Sequence, residues 1–160
     1  MTRAVVEPTD TPARPAPRSR RRMPLPVAAG FAAAAGLLSL LAFPPLSWWW
    51  ILPVAVALFT LAVHGQRVRV GALLGAAYGV AFFPAVLFWV RVVGFDAWAV
   101  LGLIEALYVA GMGALLAVVF RLPWWPLWSA CLWVGQEFVR SRFPLGGFGW
   151  GRLAFGETSS

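Results

Sequence analysis

The chain has 160 residues, 61% hydrophobic and 12% charged, and its formal charge of +7 sets 13 arginines, without a single lysine, against six acidic residues. Ordinary soluble domains carry about 25% charged residues, so the composition excludes a conventional water-soluble core and indicates an all-α membrane protein. One cysteine, Cys131, and one histidine, His64, exclude an intrachain disulfide framework and a metal site built from those ligands, and no cofactor is expected.

Residues 1–22 hold Pro8, Pro12, Pro15 and Pro17 among six arginines and almost no large apolar side chain, so they are expected to form a disordered basic cytoplasmic tail. No basic and aromatic interleaving on a soluble module accompanies that charge, and nucleic acid is not an expected partner; attraction to lipid headgroups accounts for it. The run Ser19-Arg20-Arg21-Arg22-Met23 also resembles a twin-arginine export signal. Against cleavage, the apolar stretch 23–43 is long for a signal core and leads into further membrane segments.

Five spans are predicted, making residues 23–142 a transmembrane helical bundle. The first, 23–43, would measure about 31 Å as a helix, enough for a hydrocarbon core of ~30 Å. Pro44-Pro45 stops it, and Trp48, Trp49 and Trp50 mark an interface before a second span at 48–63. His64 reads as a loop residue. In the third span, 70–90, Gly71, Gly75 and Gly79 recur at every fourth position and predict close helix packing, with a kink at Pro84. The fourth, 97–120, carries Glu105 and, one turn on, Tyr108 on the same side. A carboxylate within a span is read either as functional or as a protonated or paired structural group. The fifth, 124–139, has Cys131 at its middle, where no base or positive field is available to make it a nucleophile.

Arginine counts set the orientation. Nine arginines fall in the tail and in the 64–69 and 121–123 loops, whereas Arg91, Arg140, Arg142 and Arg152 fall on the other side. The positive-inside rule then puts the N-terminus in the cytoplasm. The outward arginines run against that rule and imply a partner there, a phospholipid phosphate or a carboxylate. Residues 143–160 become an extracytoplasmic glycine and aromatic loop. Gly146 to Gly151 lacks the Gly-Lys-Ser/Thr ending of a nucleotide-binding loop and reads as a lipid-contacting lining or as a structural re-entrant loop.

Leu41-Ala42-Phe43-Pro44-Pro45 with its tryptophan cluster, the glycine-rich span ending in Phe82-Phe83 and Trp89, and Trp133 with Glu137-Phe138-Val139-Arg140 leading to Pro144-Leu145-Gly146-Gly147-Phe148-Gly149-Trp150-Gly151 are the most distinctive features. Together they resemble the N-terminal membrane domain of bacterial apolipoprotein N-acyltransferases, from about residue 25 to 155. The family commonly places proline where this chain has Gly149. The resemblance implies a cytoplasmic-membrane bundle supporting an extracytoplasmic nitrilase-like domain. That domain moves an acyl chain from a phospholipid donor to a cysteine thioester, then to the N-terminal diacylglyceryl-cysteine of a lipoprotein acceptor, using a glutamate, a lysine and a cysteine.

No catalytic residue is assigned here. With no lysine and with Cys131 inside a span, the triad cannot be assembled, so the chain alone is expected to be inactive and its last loop to lead to a missing domain. The alternative is a non-catalytic membrane module that anchors or activates another enzyme, such as a polyprenol-phosphate mannose synthase. A small-solute transporter is disfavoured by the absence of repeat symmetry. Glu105, Glu137, Arg140 and Arg142 are candidates for ion pairing or headgroup contact, and Phe148 and Trp150 for lining an acyl-chain path.

Overall fold

The computed structural model describes residues 22–143 together with Arg152 and Leu153. The expected tail up to residue 21, and the loop positions Phe148 and Trp150, lie outside the described residues. Five α-helices follow in order, with no strand among the described residues: α1 Leu25–Leu40, α2 Leu52–Val63, α3 Val68–Val86, α4 Phe95–Val119 and α5 Trp125–Arg140. Short 3₁₀ turns, Trp49–Ile51 and Phe88–Val92, precede α2 and join α3 to α4.

Prolines set most of the boundaries. Pro26, Pro53 and Pro126 occupy the first turns of α1, α2 and α5, where the missing N–H would have no intrahelical acceptor. At its other end α1 stops at Leu40, three residues before the predicted limit. The N–H groups of Leu41, Ala42 and Phe43 bond back three residues, at 3.0, 3.3 and 3.0 Å, rather than four. Proline disfavours the helical conformation in its predecessor, so the chain tightens before Pro44 instead of at it. Similarly α3 ends at Val86, short of the predicted 90. It continues two residues past Pro84, whose carbonyl accepts the indole N–H of Trp98 from α4 at 2.9 Å.

Two helices, α3 and α4, are long and apolar enough to cross a membrane. At ~1.5 Å per residue they measure about 28 and 37 Å, whereas α1 and α5 reach about 24 Å and α2 about 18 Å. The glycine repeat of α3 forms the seam between the two long helices. A Cβ placed on Gly71 would strike the carbonyl of Gly113, one on Gly75 that of Val109, and one on Gly79 the Cα of Ala106. Only hydrogen at these positions lets the backbones approach so closely. On the opposite side of α3, Gly36 brings α1 against the carbonyl of Tyr78, and α2 packs beside α1.

The buried centre is aromatic. Phe59 from α2 lies 5.2 Å from Tyr78 and 5.9 Å from Trp133 of α5, and Tyr78 leads on to Phe82 and Phe83. By contrast the outer faces are hydrocarbon: Leu73, Val80, Leu103, Leu107 and Leu115 are each more than half exposed.

Candidate functional site

The polar end of the bundle is assembled by the last helix. α5 is peripheral, with only Ser129 and Arg140 buried along its length. Arg140 nevertheless donates from Nη1 to Glu105 Oε2 of α4 at 2.5 Å, with the two side chains 1% and 2% exposed. Its guanidinium carbon sits 5.2 Å above the ring of Phe83, so α3, α4 and α5 converge on one cation. Arg140 also lies in the last turn of α5, where the helix dipole favours a positive charge. Each of these ions would be strongly disfavoured at such burial without the other.

Neighbouring polar groups tie down the chain as it leaves α5. Glu137, one turn before Arg140, accepts the backbone N–H of Leu153 on Oε1 at 2.9 Å. Tyr108, one turn beyond Glu105, donates its hydroxyl to the carbonyl of Phe143 at 2.8 Å. Glu105 and Tyr108 thus both serve the α5 end, one on its last helical turn and the other on the residues after it. Arg142 stands apart: it is exposed, with its guanidinium 3.6 Å over the Phe138 ring. Of the six sequence candidates, then, Glu105 and Arg140 meet directly, Glu137 holds the returning chain beside them, and Arg142 faces outward. Phe148 and Trp150 lie outside the described residues.

Below the ion pair, Tyr78, Phe83, Trp133, Gln136 and Leu153 border a cavity of about 10 Å³, the lower limit for a single water. The indole N–H of Trp133 and the side-chain amide nitrogen of Gln136 are buried without a protein acceptor. The sequence reading does not single out Ser39 and Tyr78, whose hydroxyls lie 2.6 Å apart and join α1 to α3. The available signal was a hydroxyl in each of two largely apolar helices.

An open apolar groove of about 690 Å³ runs between α4 and α5, lined by Leu107, Tyr108, Gly111, Leu115, Cys131 and Gly135 among others. Cys131 is exposed on this face. No group of three or more His, Cys, Asp or Glu side chains suited to a metal ion occurs among the described residues. The polar groups at this end supply a charge pair and hydrogen-bond donors in fixed register. That chemistry holds and orients.

Residues 35–160 match the sequence model of the family described as apolipoprotein N-acyltransferase N-terminal domain. The chain belongs to this family. An apolipoprotein N-acyltransferase of Mycolicibacterium smegmatis is 35% identical over 144 residues, covering 77% of this chain and 24% of that relative. One from Pseudomonas paraeruginosa is 32% identical over 135 residues, covering 74% and 26%, and one from Photobacterium profundum 29% identical over 143 residues, covering 81% and 28%. The chain therefore spans about a quarter of the length of these curated relatives. The acyltransferase N-terminal domain match includes α2 to α5, and with them Glu105, Glu137, Arg140 and Arg142.

Proposed function

We propose that the chain is the membrane-embedded part of an enzyme that transfers a fatty acyl chain from phospholipid to the N-terminal diacylglyceryl-cysteine of lipoproteins. It crosses a bacterial cytoplasmic membrane five times, with the N-terminus in the cytoplasm. The observation that carries this reading is the buried Glu105–Arg140 pair, held inside an apolar bundle and within the family match. A charge pair among hydrocarbon-facing helices is expensive and marks a functional end by default. The shorter helices α1, α2 and α5 span with the help of interfacial tryptophans such as Trp48, Trp124 and Trp128 and of local bilayer thinning.

In this reading the Glu105–Arg140 pair and Glu137 fix the exit of α5, so that the chain beyond it is presented in one orientation. Exposed Arg142 contacts the phosphate of the acyl donor. Phe148 and Trp150 are assigned to the lining of the acyl-chain path. The chemistry of transfer is assigned to none of these residues. With no lysine in the 160 residues, the chain alone is inactive.

A chimaera tests the assignment. Residues 25–155 replace the matching segment of the Mycolicibacterium smegmatis relative, in cells depleted of their own enzyme. The chimaera is expected to restore N-acylation of a lipoprotein N-terminal peptide, read by mass spectrometry, while the purified chain alone gives none. A chimaera that inserts and accumulates yet leaves the peptide unacylated overturns the reading.

A further inference from the structure

At the end of the bundle remote from Glu105 and Arg140 lies a concavity of about 850 Å³, whose lining includes Arg22, His64, Gln66, Arg67, Phe120 and Arg121. Arg67 caps the start of α3, and Phe83, beneath Arg140, stands about 24 Å further along that helix at ~1.5 Å per residue. The two polar regions are therefore separate.

Three segments build this concavity through defined contacts. Gln66 is 6% exposed, and its amide nitrogen donates to the carbonyl of Met23 at 2.9 Å, which holds the residue after Arg22 against the α2–α3 turn. The His64 ring packs 5.1 Å from Phe120 and 5.9 Å from Trp125, joining the same turn to the α4–α5 turn that carries Arg121. Three arginines thus line one space, with no carboxylate among the described lining residues. The acidic residues among those described, Asp96, Glu105 and Glu137, all stand elsewhere. Arg67 is also placed at the positive end of the α3 dipole, with no acidic residue in that first turn. This arrangement is unfavourable in itself and would be relieved by a bound anion.

We propose that this concavity binds a phosphate-bearing anion. Guanidinium groups pair with phosphate oxygens in a bidentate fork, and basic pockets between helices at a membrane surface accept anionic headgroups. The volume falls within the range of small-molecule sites. The shared chemistry is the phosphate group, carried either by an anionic phospholipid or by a soluble phosphate.

The test uses the purified full chain in detergent, with phosphatidylglycerol, zwitterionic phosphatidylcholine and inorganic phosphate titrated separately and bound mass read by native mass spectrometry. One saturable phosphatidylglycerol or inorganic phosphate adduct is expected, with phosphatidylcholine at least about tenfold weaker than the better ligand. Competition by inorganic phosphate at millimolar concentration identifies a soluble source, and its failure to compete identifies the lipid. Each guanidinium is expected to contribute about fivefold, so R67Q/R121Q loses about 25-fold, and R67K/R121K, which keeps the charge but not the bidentate fork, recovers only part of it. Arg69 lies at the same end of α3 but outside the lining, and R69Q, which removes no bidentate contact, is expected to lose clearly less affinity than R67Q/R121Q. Equal losses in R69Q and R67Q/R121Q, or equal binding of phosphatidylcholine and phosphatidylglycerol, overturn the proposal. The measurement reads binding and not acyl transfer, so its failure leaves the functional assignment standing and the reverse also holds.

Discussion

Glu105 and Arg140 carry the sharpest consequence at the scale of single residues. Removing either one leaves its partner charged in an apolar interior, whereas removing both leaves only a packing change. Glu105→Ala or Arg140→Ala alone is expected to cost about 3–5 kcal/mol of stability, and Glu105→Leu with Arg140→Met far less. Chemical unfolding of the four proteins in detergent checks this. Additive losses in the double variant would mean that the two groups act independently. If the pair also orients the chain after α5, the stable double variant in the acyltransferase chimaera still loses transfer. That outcome separates a positioning role from a merely stabilising one. The sequence makes Glu105 and Arg140 visible as polar anomalies. Their pairing across 35 positions depends on how α5 lies against α4, which no local spacing encodes.

Among the helices, the α3–α4 seam follows directly from the period of Gly71, Gly75 and Gly79, because three hydrogens on one face create a groove wherever a neighbour is available. Gly75 is the tightest point, where a Cβ would fall within 2.2 Å of the Val109 carbonyl. Gly75→Ala is expected to destabilise the protein by about 1–3 kcal/mol, seen as a lower thermal midpoint in detergent. Gly111→Ala, on the open side of α4 with nothing within 4 Å, is expected to change the midpoint little. Alanine is the better helix former, so propensity alone would raise the midpoint at both positions, and a rise at Gly75 would overturn the close-approach account. The helix boundaries were less legible. The proline pair at Pro44-Pro45 marked a break, but the chain reacts before it reaches Pro44, and α3 continues two residues beyond Pro84.

For the molecule as a whole, the arginine distribution yields a prediction about orientation. In a Cys131→Ala background, Ser141→Cys is expected to react with a membrane-impermeant maleimide from outside intact spheroplasts, and Ser19→Cys only after lysis. Labelling of Ser141→Cys solely after lysis would reverse the assigned topology. The chain's apolar composition and arginine bias determined by themselves that the helices form an apolar bundle with two chemically distinct ends, because both properties are sums over residues. The spacing of glycines determined which faces approach, since periodicity projects directly onto a helix surface. Only the tertiary structure decided that Arg140 is neutralised by Glu105 while Arg142 remains exposed, and that Arg22, Arg67 and Arg121 line a single space. These outcomes depend on distances between helices and turns far apart in the chain, and such distances are set by packing alone.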